Sequence, residues 1–341
     1  MQATSAFYLD EIALAVDIQA KQRLFLACYM LDQQHAALFG RQKSDCFSGT
    51  GMDLPFPRSQ ASWDTMNARY AEATATSRVC DALDGTHPLE GKQRTYDVFQ
   101  SMLMMASMED TASESPAYVL ESSISSSSAL LKMEQSSRVK MAYHTFMLCK
   151  NTPVRDLLAI AGESWVMAEK LSNQAEYTAA QIETRHWAKG RDDSVVDFDA
   201  NNTRVTVSKA VNHALQILKL HLDHPKTGLL FQEWAVYLAS VVLWARAHVT
   251  APKLEQGRRL SVAKPTSRRS SLRDLDQELP GVLAAASAKD VTIDQAKTIL
   301  LWAKARIETV DIPHNCGLTN GALDVLGKLA TRGGEEGWFG S

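Results

Sequence analysis

Close cysteine pairs are missing. Cys28, Cys46, Cys80, Cys149 and Cys316 are scattered over 341 residues, and no two form a C-x-x-C pair. A zinc cluster or finger needs soft ligands in close pairs to complete a tetrahedron, so neither is expected here. The odd count and wide spacing read as reduced thiols of an intracellular protein. Basic excess is missing too: 36 Lys and Arg stand against 39 Asp and Glu, a formal net charge of -3. A free-standing nucleic-acid binder is usually basic, so direct DNA contact by these residues is not expected. Residues 1–10 lack the basic start and apolar core of a secretory signal. The longest apolar-rich run, residues 234–245, falls short of the ~20 residues that span a bilayer. A soluble protein with no membrane partner is expected. There is no Gly-x-Ser-x-Gly, phosphate loop or dinucleotide fingerprint. Ser164, in Gly162-Glu163-Ser164, lacks the second glycine of a nucleophile elbow. Nothing assembles a nucleophile, a base and an oxyanion donor, and no fixed-period repeat is present.

What is present is helical pattern, with 45% hydrophobic residues to fill a core. Leu24, Ala27, Cys28, Leu31, His35 and Leu38 keep the i, i+3, i+4, i+7 spacing of one helix face, with Cys28 as a small core residue. Gly40 is the C-cap. Residues 41–62 read as an ordered loop. Helices are expected over 94–108 and 129–150, separated by an exposed serine-rich loop at 113–128. Thr152-Pro153 opens a long helical segment running to Trp187, with a break near Ser172-Asn173. Further helices are expected over 205–222, 228–248, 275–288 and 292–308. The last has a capping box, Thr292 with Gln295, and an apolar stripe of Ile293, Ala296, Leu300, Ala303 and Ile307. The expected fold is all-α, an irregular bundle of about nine or ten helices.

Three blocks carry a resemblance. The first runs Arg23-Leu24-Phe25-Leu26-Ala27-Cys28-Tyr29-Met30-Leu31-Asp32, then Leu38-Phe39-Gly40-Arg41, then Asp53-Leu54-Pro55-Phe56-Pro57, then Trp63. The second is Thr152-Pro153-Val154-Arg155-Asp156-Leu157-Leu158-Ala159, continuing to Trp165. The third joins Asn212-His213-Ala214-Leu215 to Trp234-Ala235-Val236-Tyr237 and Trp244-Ala245. Their order over about residues 20–250 resembles the fungal-specific transcription factor domain, the all-helical regulatory region of fungal zinc-finger and zinc-cluster regulators.

The resemblance implies a regulatory, non-DNA-contacting region that controls RNA polymerase II transcription in the nucleus. It implies co-regulator or transcription-machinery partners, no enzymatic activity and no cofactor in this chain. Zinc and DNA contact would belong to an upstream element not found in this sequence, where the upstream half of the domain is expected to be missing or very short. Helices that normally pack against that half would leave an apolar patch, which favours a homo-oligomer. The domain division expected is 1–250 for the partial regulatory domain, 251–273 for a basic linker, 274–331 for a C-terminal helical pair and 332–341 for a tail. The competing class is a helical scaffold, or an enzyme of unrecognised type, with no gene-regulatory role.

Candidate positions follow. Arg23 and Asp32 flank the first helix face and Arg41 follows its cap; an ion pair or capped end that fixes the next loop is weighed above a ligand contact. Leu54, Pro55 and Trp63 shape that loop, with Trp63 pinning it to the core. Pro153, Arg155, Asp156, Trp165 and Trp244 are the other motif positions. His221 and His224 have H-x-x-H spacing, but zinc needs a third protein ligand and Pro225 signals a helix end. Asp192, Asp193, Asp197 and Asp199 lack the turn glycine and terminal acid of a calcium loop. No metal site is expected. Arg258-Arg259-Leu260-Ser261 and Arg268-Arg269-Ser270-Ser271 share an Arg-Arg-x-Ser spacing that basophilic kinases read, so Ser261 and Ser271 are modification candidates; an unmodified basic linker, or a weak nuclear import patch, is the alternative.

Overall fold

The structure, a computed structural model, describes residues 2–47, 53–64, 77–84, 95–112, 132–162, 173–190, 207–251, 271–286, 291–309 and 317–332. The all-α expectation holds: every element of eight residues or more among them is an α-helix. The only sheet-like pairing among them is an isolated bridge between Pro55 and Arg78. The chain divides into two compact units. The first takes residues 1–36, 42–140 and 201–204; the second takes 37–41, 141–200 and 205–341.

The first unit opens on α1 (Gln2–Phe39), whose 38 residues contain neither glycine nor proline, so nothing interrupts its hydrogen bonding. Its buried face is Leu26, Tyr29, Met30, Gln33 and Ala36. This corrects the expected face. Leu24, Cys28, Leu31 and His35 are exposed, and of the expected stripe Leu38 alone is buried. The helix is apolar around most of its circumference, so periodicity admits two faces and tertiary packing chooses between them. Two short helices, α2 (Gln60–Asp64) and α3 (Val79–Leu83), precede α4 (Val98–Ala112). α4 starts four residues later than expected because Asp97 caps it. Its Oδ1 accepts from the Gln100 backbone N–H at 2.8 Å while Gln100 Oε1 accepts from the Asp97 N–H at 3.1 Å. The buried residues here are notably methionine-rich, with Met30, Met104, Met105, Met108 and Met133 in unbranched, adaptable packing.

α5 (Ser137–Lys150) begins in the first unit and delivers Met141, Leu148 and Cys149 to the core of the second. Its start, expected at residue 129, lies at Ser137, next to a Ser136 hydroxyl that accepts from the Val139 N–H. The expected long segment from residue 152 is two helices, α6 (Val154–Ala161) and α7 (Gln174–Lys189). Gly162 at φ 103° closes the first as a left-handed cap, and Asn173 opens the second by accepting from the Glu176 N–H. Then come α8 (Val207–Asp223), α9 (Gln232–Thr250), α10 (Leu272–Ala285) and α11 (Ile293–Glu308). A further helix, α12 (Gly317–Arg332), makes three helices over the region where a C-terminal pair was expected.

α9 is the centre of this unit. It is buried on nearly every side, from Trp234 through Ala245 without interruption. α8 and α11 pack directly on it, α7 and α6 flank it, and α10 and α12 pack on α11. The three C-terminal helices therefore share one core with residues 141–250. Thr292 and Gln295 form the expected capping box, and Ala296, Leu300, Ala303 and Ile307 are buried as expected, joined by Ile299 and Trp302. No helix among the described residues is long and apolar enough to cross a membrane.

Candidate functional site

Four polar centres can be built upward from their residues. In the first unit, Arg23 projects from the middle of α1 with its guanidinium fork spread. One terminal nitrogen donates to Gln60 Oε1 at 2.7 Å and the other to the Arg58 carbonyl at 2.8 Å, while the plane lies 5.4 Å from the Phe99 ring centre. Burial lowers the guanidinium pKa, with Asp97 and Asp64 opposing. Gln60 is tied in turn to Asp97, and Gln100 donates to the Pro57 carbonyl at 2.8 Å. Arg23 thus holds the loop containing Leu54, Pro55 and Pro57 through its backbone. That loop is further fixed by Val79 N–H to the Leu54 carbonyl at 2.9 Å and by Phe56 N–H to the Ser77 carbonyl at 2.7 Å. Asp32, nine residues along α1, accepts from the Ser44 N–H at 3.0 Å and so holds the chain after the helix. Trp63 falls on α2, but its side chain lies outside the described residues.

In the second unit, Gly40 ends α1 at φ 61°. A Cβ placed there would meet the Arg155 backbone N at 2.6 Å. The Gly-Arg end of the first block and the Pro-Val-Arg-Asp start of the second are therefore in backbone contact, which the sequence spacing alone does not reveal. Arg41 lies 5.9 Å from the Phe39 ring centre. The Leu38 carbonyl accepts from Trp234 Nε1 at 3.1 Å. Pro153 directly precedes α6, where its lack of an N–H is harmless. Asp156, in the first turn, has its pKa raised by burial and by Glu183, with Arg155 pulling it down. Trp244 is fully buried on α9, its ring 5.2 Å from His248. Trp165 lies outside the described residues, as do Ser261 and the aspartate loop at 192–199.

The third centre is a buried polar chain that links the loop after α8 to α11. Gln232 Nε2 contacts His221 Nδ1 at 2.8 Å and donates to the Pro225 carbonyl at 2.7 Å. Its Oε1 accepts from both the N–H and the hydroxyl of Thr227. His221 meets Trp302 edge-on at 5.7 Å. Trp302 Nε1 donates to Asp276 at 2.8 Å, and Arg306 pairs with the same carboxylate at 3.2 Å. Burial, helped by Arg306 and opposed by Asp276, pushes the His221 pKa down to about 4. His224 is exposed beyond the end of α8, so the H-x-x-H pair does not converge. The fourth centre was not anticipated: His144 on α5 and His213 on α8 meet Nδ1 to Nδ1 at 2.9 Å, one donating and the other accepting. Burial, with Lys209 adding to it, lowers the His213 pKa to about 4. The two residues are 69 apart in sequence, and no local spacing signals the pair. No group of three metal-ligating side chains occurs among the described residues.

These centres are interior scaffolding that fixes loops and helix ends. They hold parts of the three sequence blocks within each unit, and comparison with known proteins gives a partial match. Residues 6–150 match the fungal specific transcription factor domain. The matched stretch runs from within α1 to the end of α5 and contains Arg23, Asp32, Gly40, Arg41, Leu54, Pro55 and Trp63. The second and third blocks lie beyond it. The match takes in less than half of the 341 residues, and it is to a transcription-factor family rather than an enzyme family. No curated protein and no solved structure matches the chain.

Proposed function

We propose that this chain is a regulatory, non-DNA-contacting region of a fungal transcription factor and that it controls RNA polymerase II transcription in the nucleus. The observation that carries the reading is the match over residues 6–150 to the fungal specific transcription factor domain, on an all-α fold. Its partners are co-regulators or the transcription machinery. DNA would be reached through a separate zinc-bearing element, and the reading requires no cofactor within these residues.

Control by phosphorylation at Ser261 and Ser271 belongs to the same reading. Ser271 is exposed and is the N-cap of α10: its hydroxyl accepts from the Asp274 N–H at 3.2 Å and donates to the Asp274 carboxylate at 2.8 Å. The hydroxyl and the Ser271 N–H, which both donate to the carboxylate, hold the Asp274 pKa below its ordinary value. A phosphate would add roughly -1.5 to -2 charge at a helix start that favours anions, yet beside a carboxylate that repels it. The cap would be rebuilt, five residues before the Asp276 that holds Trp302 and Arg306.

The test is to fuse the chain to an unrelated DNA-binding module in a fungal host and read a reporter bearing that module's site. Reporter transcription should change several-fold over the module alone, and S261A/S271A should alter that change. Unchanged output from an expressed, nuclear fusion would refute the regulatory reading.

A further inference from the structure

α1 leaves large apolar side chains partly in water over residues 14–25, ahead of the stretch whose packed face is Leu26, Tyr29, Met30, Gln33 and Ala36. Leu14 is 61% exposed, Ile18 54%, Leu24 65% and Phe25 47%. At 3.6 residues per turn these four fall on one side of the helix. Asp17 and Lys21 fall among them, forming an exposed ion pair at 2.7 Å. Leu14, Asp17, Lys21 and Leu24 keep alternating steps of three and four, the spacing of a helix-pairing seam.

We propose that this seam is a self-association surface, occupied by the same seam of a second copy running antiparallel about a two-fold axis level with residue 19. The charges choose the direction. A parallel pair would set Asp17 beside Asp17 and Lys21 beside Lys21, which repel. An antiparallel pair centred at residue 19 sets Asp17 of each copy against Lys21 of the other. The same operation sets Leu14 against Leu24, so both apolar and charged positions are self-complementary, as an isologous two-fold interface requires. The area sets the strength. Four half-exposed side chains of this size offer on the order of 400 Å² per copy, a functional patch size but below the ~800 Å² per partner of a standard stable interface. The dimer is therefore weak, with a dissociation constant of about micromolar order. This inference does not depend on the chain being a transcriptional regulator.

Sedimentation velocity of the full chain, from about 1 to 100 µM, tests it. A monomer–dimer equilibrium is expected. L14E and L24E alter exposed positions, so helix content by circular dichroism should be unchanged while dimerisation weakens tenfold or more. D17K and K21D should each weaken the dimer, and D17K/K21D should restore it, because the reversed charges still meet across the axis. A chain that stays monomeric at 100 µM overturns the proposal, as does a dimer indifferent to L24E. A double variant no better than either single variant overturns the antiparallel register.

Discussion

Gly40 and Gly162 both sit in the left-handed region, but they ask different things of the residue. At Gly162 an added Cβ would find Val325 Cγ2 at 4.0 Å, an ordinary contact, so G162A should cost only the backbone strain, ~1 kcal/mol. At Gly40 the same Cβ would lie 2.6 Å from the Arg155 N and 2.9 Å from its Cβ, where backbone must move. G40A should therefore cost at least about 2–3 kcal/mol, strain and overpacking together. Urea unfolding of both variants checks this. Equal losses would mean that the close approach to Arg155 carries no energy. A glycine after a helical run is legible from sequence as a cap, and so was Gly40. The reason why only glycine fits was not legible, because the neighbour is 115 positions away. The same distance problem hid the Arg23 fork, whose acceptors at Arg58 and Gln60 lie 35 and 37 residues on. The Gly40 approach to Arg155 and the Arg23 bond to the Arg58 carbonyl are backbone-directed contacts, which leave no pattern in side-chain type.

Elements were readable in proportion to how locally they are specified. Thr292 with Gln295 started α11 where a capping box should, and Ser271 with Asp274 and Asp97 with Gln100 obey the same chemistry. The face of α1 was misread because both of its sides are apolar, and that choice is made by the rest of the fold. α8 is the element most exposed to pH, since it carries both His213 and His221. Each has a pKa near 4 when folded, through burial above all, against about 6.5 when unfolded. Between these values the unfolded chain binds protons that the native chain refuses. Stability is thus complete above pH 6.5, falls as pH drops toward 4, and levels off below it, with a limiting loss on the order of 3 kcal/mol per histidine. The urea midpoint should drop between about pH 7.5 and pH 5, and H213Q or H221Q should each flatten that dependence. A midpoint that does not move would mean that both imidazoles take up protons in the folded state.

At the scale of the whole molecule, the question is whether residues 271–332 are an appendage or part of the core. The sequence reading set them apart behind a basic linker, since arginine, serine and proline over 251–273 cannot bury a core. The packing argues for integration. α9 is buried along almost its entire length, and one side of it is covered by α11. Removing α10 to α12 would take away Leu275, Leu279, Ile299, Leu300, Trp302 and Leu326, all essentially buried, and uncover their partners. At about 1.5–3 kcal/mol for each large apolar side chain, that loss meets or exceeds the 5–15 kcal/mol by which a domain is stable. A chain ended at residue 270 should therefore lose its cooperative transition, bind an apolar dye and partition into aggregates, measured as soluble fraction and dye fluorescence. If the shortened chain instead keeps a sharp urea transition, residues 141–250 close a core of their own and the C-terminal helices are a separate module docked upon it. The first outcome would also constrain regulation: a modified Ser271 would act from within the folded unit, on the helix that holds Trp302, and not on a passive tether.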